Sequence, residues 1–128
     1  MKRLIIATLA LSACSGRFEY VHSSEVHEDT TIQSSDWTMA SVPFAMRHLD
    51  GQHMLSGVIY VTGSGSVAIG TNSGSGWHPD SIEAIDSSVT GPALPYVGIE
   101  GPVDEFMFSV MAIGHVTIRK GSAVEISP

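Results

Sequence analysis

Hydrophobicity along the chain falls into three textures. Residues 4–13, LIIATLALSA, are an almost unbroken apolar run preceded by Lys2 and Arg3. Residues 15–36, SGRFEYVHSSEVHEDTTIQSSD, are polar and acidic, with a candidate short strand at Arg17 to Val21 and a second place where pairing could begin at Thr30 to Gln33. From Trp37 onward, short runs rich in Val, Ile, Thr, Tyr and Phe are separated by Gly, Pro, Asp and Ser: WTMASVPFAM, SGVIYVT, SVAIGT, SIEAIDSSVT, EFMFSVMAIG, HVTIRK and AVEIS. Such runs mark antiparallel strands, and none holds helical spacing through a full window. The pattern predicts a signal segment over 1–13, a polar tether over 14–36 and an all-β domain over 37–128, folded as a small antiparallel β-sandwich or barrel.

Turn chemistry predicts how the strands connect. Asp50-Gly51 supplies the positive φ angles of a two-residue type I′ turn, which would set Leu49 opposite Gln52, His48 opposite His53, Met46 opposite Leu55 and Val42 opposite Ile59. Alternation then gathers Val42, Phe44, Met46 and His48 with His53, Leu55 and Ile59 on one apolar face. The other face holds Arg47 and Gln52, with Met54 and Val58 as apolar exceptions. A second hairpin is expected at Arg119-Lys120-Gly121-Ser122, and a turn at residues 63–66, GSGS. Thr71 to Asp80 is the longest loop expected, and Pro92, Pro95 and Pro102 interrupt the stretch after it. No internal repeat is present.

Length and charge narrow the function classes. The 128 residues are enough for one domain with its own core, and 43% hydrophobic against 15% charged residues is a globular balance. From Cys14 onward four basic residues stand against thirteen acidic ones, a formal charge of −9. Such a surface repels phosphate backbones, so nucleic acid is not an expected partner.

The opening stretch has the order of a secretory signal peptide: a positive start, a short apolar stretch, then small residues. Its ten-residue apolar run is half of the roughly 20 residues a membrane span needs. Leu11-Ser12-Ala13-Cys14 resembles the lipobox of bacterial lipoproteins. The resemblance implies cleavage before Cys14, a thioether-linked diacylglycerol on its sulfur and acylation of the new amino terminus. Ser15, where an Asp would favour retention in the inner membrane, implies the outer membrane; the domain is expected to face the periplasm rather than the exterior, a side that the sequence itself leaves open. One acyl chain binds only reversibly, whereas two or more anchor stably. Cys14 is the only cysteine, so the fold has no disulfide to rely on.

Candidate chemistry is sparse. His22, Glu25, His27, Glu28 and Asp29 are metal-binding residue types, but without ligand spacing they read as a solvated tether. His48 and His53, as a cross-strand pair, are either two polar residues at a hairpin mouth or a partial zinc site that repels itself when protonated. Trp77, beside His78 in a glycine-rich loop, is either a partner contact or a cap folded onto the core, and Tyr96 carries the same two readings. No nucleophile elbow, phosphate loop, dinucleotide fingerprint or zinc-protease motif occurs, so the expectation is a non-enzymatic protein without a cofactor.

Three kinds of lipoprotein are similar in part. Small phage-encoded lipoproteins that block an envelope receptor, giving superinfection exclusion, resemble this chain in size and in a lipobox followed by a compact domain. That likeness implies a binding module docked on an envelope protein, where tethering raises effective concentration. Ser56-Gly57-Val58-Ile59-Tyr60 resembles the S-G-x-x-Y segment of membrane-bound lysozyme inhibitors, although the chain lacks that family's cysteine pair. Single-chain phage spanins share the lipobox and β-rich middle but need a second span, and Phe106 to Ile118 is too short for one.

Overall fold

The computed structural model describes residues 22–88 and 91–127. These residues form nine strands and no helix: β1 (His22–Glu25), β2 (Thr30–Met39), β3 (Phe44–Leu49), β4 (Gln52–Asn72), β5 (His78–Ile85), β6 (Gly91–Ala93), β7 (Tyr96–Glu100), β8 (Val103–Ile118) and β9 (Ala123–Ser127). All pairing is antiparallel, in one sheet that is not closed into a barrel.

Two long strands organise the sheet. One edge of β4 pairs with β9 over Met54–Val58 and then with β8 over Val61–Asn72, while its other edge takes β7, β6 and β5 in turn. β8 pairs on its far edge with β2 and β3. The sheet thereby divides into a small layer (β1, β9, the first part of β4, and β7) and a large layer (β2, β3, β8, the rest of β4, β5 and β6). One core lies between them, with Leu55, Ile59, Val124 and Ile126 from the small layer meeting Ile69, Phe106, Phe108 and Val116 from the large one.

Several local expectations are corrected. The Asp50-Gly51 hairpin does not form. Instead β3 pairs with β8 and the start of β4 with β7 in one unbroken register, from Phe44 opposite Phe108 to Ser56 opposite Tyr96. Asp50-Gly51 and Gly101-Pro102 are the two sides of a corner at which this ribbon passes between layers, joined by the Gly101 N–H donating to Gly51 O at 2.7 Å. The chosen register sets Phe44 against Phe108 and Met46 against Phe106, apolar pairs that stabilise more than the expected His48–His53 pair could. His48 has φ 57, which breaks the alternation, so that Leu49 enters the core in its place; Val42, expected on the same apolar face, is exposed.

Residues 63–66 do not turn: β4 runs straight through them. A Cβ at Gly63 or Gly65 would meet the carbonyl oxygens of His115 or Ile113, so these glycines permit a close strand approach. Arg119–Ser122 is no hairpin either, because β8 and β9 follow one another along the same edge of β4. The buried Ser122 bridges that interruption, its hydroxyl donating to Arg119 O (2.7 Å) and accepting the Tyr60 N–H (2.9 Å). Most of the expected tether is also folded, since residues 22–36 supply β1 and much of β2, and Val26 is buried in the core. The expected Thr71–Asp80 loop shrinks to the five residues between β4 and β5.

Candidate binding face and seam groove

β4 alternates strictly through the small layer. Leu55, Gly57 and Ile59 point inward and are buried, which turns Met54, Ser56, Val58 and Tyr60 to the outside. Tyr96 lies opposite Ser56 on β7 and Glu125 opposite it on β9. With Leu94 from the β6–β7 connection they form an exposed apolar face: Tyr96 is 64% exposed, Leu94 58%, Tyr60 46% and Val58 40%. A depression of about 470 Å³ runs across it, with Glu125 as its one charged lining residue. The backbone beneath is held, with the Gly57 N–H donating to Pro95 O (3.0 Å) and the Tyr96 N–H to Ser81 Oγ (2.9 Å). Gly57 has its own structural role, since a Cβ there would come within 3.0 Å of Val124 Cγ2.

The second feature lies where the sheet fails to close. β1 faces β3 without a ladder between them, and side chains join the two. Ser24 Oγ donates to Val42 O at 2.7 Å, and the rings of His22 and Phe44 stack at 4.9 Å. Ser41 ties this seam to β8: its hydroxyl accepts the Val110 N–H (2.9 Å), and Ser109 Oγ donates to Ser41 O (2.8 Å). Beyond His22 the seam opens into a groove of about 370 Å³ with Phe44, Met46, Leu49 and Ile126 among its lining and His22 and His53 at its rim. His53 reaches two backbone oxygens, Asp50 O at 2.6 Å and Ser127 O at 3.1 Å. A neutral imidazole can donate to only one of them.

Of the residues singled out in the sequence, Leu11, Ser12, Ala13 and Cys14 lie outside the described residues, as does the candidate strand Arg17 to Val21. His48 and His53 are not a cross-strand pair. His48 is exposed on β3, 3.9 Å from Asp104, while His53 lies against Ser127 at the end of β9. Among the described residues no group of three or more His, Cys, Asp or Glu side chains is arranged to hold a metal ion.

Trp77 is half-buried, and its ring lies by Gly70 beside Met111, on the outward side of β4. His78 is exposed near Ser75. Tyr96 is exposed on the apolar face of the small layer. Of its neighbours there, Tyr60 stands in the sequence as the last residue of the S-G-x-x-Y stretch and Leu94 carries no signal of its own, while the apolar exceptions Met54 and Val58 on the outward side of β4 point to the face. Phe106 to Ile118, the span considered for a spanin, is part of β8. No family model matches the chain, and no curated protein matches it.

Proposed function

We propose that the protein is a lipoprotein, anchored in the outer membrane through Cys14, whose β-domain is a non-enzymatic binding module docking on an envelope protein and blocking a receptor. The observation that supports this reading is the exposed face of Val58, Tyr60, Leu94 and Tyr96, none of which the core requires. Contiguous exposed apolar side chains rimmed by polar ones mark interaction surfaces, and tyrosine is enriched where interfaces draw their affinity.

Its test is plating efficiency for a panel of phages with different receptors, on Gram-negative hosts expressing the full chain, a Cys14→Ala variant, or Tyr60→Ser with Tyr96→Ser. Loss of plaques for one receptor class, restored by either variant, supports the reading and names the partner. Unchanged plating across the panel sinks it for those receptors.

One observation favours a second reading as a lysozyme inhibitor. Ser56, Val58 and Tyr60 of the S-G-x-x-Y stretch all point outward on this face, and the acidic domain complements a basic enzyme. Lysis of cell walls by a basic lysozyme, with and without purified domain, decides it.

A further inference from the structure

The exposed face of the small layer carries charge that any docked partner must satisfy. Strand register sets Tyr96, Ser56, Glu125 and Ser23 in one row across β7, β4, β9 and β1, with Val58, Ala123 and Glu25 in the row beside it. These positions point outward, because Gly57, Val124 and Ser24, which alternate with them, are buried. The depression across the face has a floor of short side chains, Ser56, Val58 and Ala123, and walls of Tyr60, Leu94 and Tyr96, with Glu125 as its one charged lining residue. Glu25 stands diagonal to Glu125 across β1 and β9, close enough for both carboxylates to reach one bound group. Among the described residues neither carboxylate is in an ion pair, and Arg119 is held by Asp29 at 3.4 Å. We propose that the depression receives a cationic side chain of the partner, an arginine, whose guanidinium pairs with Glu125 and lies against the tyrosine rings.

Desolvation selects the charge of the occupant. Apolar groups laid over this face would bury the Glu125 carboxylate without a partner, at a cost that offsets the apolar contact, whereas a cation arriving with them removes it. The spacing suits one side chain. Neighbouring strands lie about 4.8 Å apart, so Tyr96 and Glu125 flank Ser56 at about 10 Å from each other. A cation sits within about 6 Å of an aromatic centroid and about 2.8 Å from a carboxylate oxygen, so a single group can meet both. Arginine meets these demands better than lysine, because its planar fork bonds a carboxylate through two N–H groups and stacks on aromatic faces.

The field of the whole protein acts in the same direction. A formal charge of −9 from Cys14 onward draws cationic groups toward the surface and speeds their encounter, while the depression decides where one of them is held. That the arginine belongs to a docked envelope protein rests on the function proposed above, whereas the affinity of the depression for a guanidinium does not.

Amide NMR titration of the full chain carrying Cys14→Ala tests the anchor, with N-acetyl-arginine amide as the probe and N-acetyl-citrulline amide, of the same shape without the charge, as the control. Saturable shifts at Ser56, Val58 and Tyr96 are expected for the arginine probe, at an affinity at least about tenfold above the control, the worth of a hydrogen bond to a charged group. Glu125→Gln with Glu25→Gln should lower that affinity at least about tenfold, while Asp36→Asn with Glu105→Gln, an equal change of charge on exposed residues of the large layer, should leave it within about twofold. Equal affinity for the two probes, no saturable shift, or equal losses from the two pairs of substitutions would overturn the proposal. In the plating assay Glu125→Lys should restore plaques as Tyr60→Ser with Tyr96→Ser does. Exclusion kept by Glu125→Lys but lost with the tyrosines would retain the docking surface and overturn the arginine anchor. A full chain that excludes no phage would sink docking for those receptors alone, and the titration would still decide the anchor.

Discussion

β4 begins in one environment and ends in another. Through the small layer, from Gln52 to Tyr60, it alternates between core and solvent, and its outward positions include Met54, Val58 and Tyr60. Through the large layer, from Val67 to Gly70, it is buried on both faces. There the outward positions are Ala68 and Gly70, small enough for Met111 and Trp77 to lie across them. Burial on both faces thus selects small residues, while large apolar side chains left outward in the small layer serve no packing need. That difference is why the docking surface proposed above is the small layer's outer face.

The contrast is broken most directly by truncating one aromatic in each region. Phe108 is fully buried between the layers, so Phe108→Ala should cost about 3–5 kcal/mol in urea unfolding. Tyr96→Ala on the open face should stay within about 0.5 kcal/mol. Comparable losses from the two would show that the tyrosine face is structural.

Glycines sharpen the same comparison. Gly114 and Gly74 have similar left-handed φ angles, +101 and +106, but a Cβ on Gly114 would lie 2.8 Å from Gly65 Cα, whereas one on Gly74 would meet nothing within 4 Å. Gly74→Ala should cost about 1 kcal/mol through backbone conformation alone. Gly114→Ala should cost about 1–3 kcal/mol more, through the clash inside the β4–β8 ladder. Thermal melts of the two variants read the difference directly.

The seam between the layers is held by hydroxyls rather than a ladder, so Ser41→Ala should destabilise by about 1–2 kcal/mol, leaving the Val110 N–H without its acceptor. A loss no larger than that of an exposed serine such as Ser87 would contradict this role. Tyr60→Ser with Tyr96→Ser should leave the unfolding midpoint nearly unchanged while abolishing the proposed docking.

The smallest effect expected is at Asp86. The Ser88 backbone N–H, and then its hydroxyl, bond the carboxylate and hold its pKa below the ordinary value. A lowered folded value contributes stability above the unfolded pKa, lost as pH falls through the folded one. Carboxyl NMR titration should show the Asp86 midpoint rising in Ser88→Ala, and an unmoved midpoint would refute the assignment.

Turn signals misled in a consistent way. Asp50-Gly51, residues 63–66 and Arg119–Ser122 each carry residues that suit a hairpin, yet they mark a corner, a close strand approach and a bridged interruption. Glycine meets all these needs by the same freedom and small size, so local chemistry identifies where the chain does something unusual without saying what. The exposed apolar face is partly legible in the sequence, because Met54 and Val58 stand out on the polar side of β4 and Tyr96 is a candidate contact. Its completion by Tyr60 and Leu94 depended on β6 and β7 pairing with β4, across a separation that no local pattern reports.

By itself the sequence determined that the chain is built of antiparallel strands, because alternation and β-branched content act residue by residue. It also determined the acidic charge that sets the electrostatics of any encounter, and the single cysteine that leaves no disulfide. Only the tertiary structure decided which strands pair, that residues 22–36 belong to the fold, and that one face stays open beside a groove at an unclosed seam. Pairing and exposure follow from how distant apolar surfaces compete for one core, and that competition is settled by the whole chain at once.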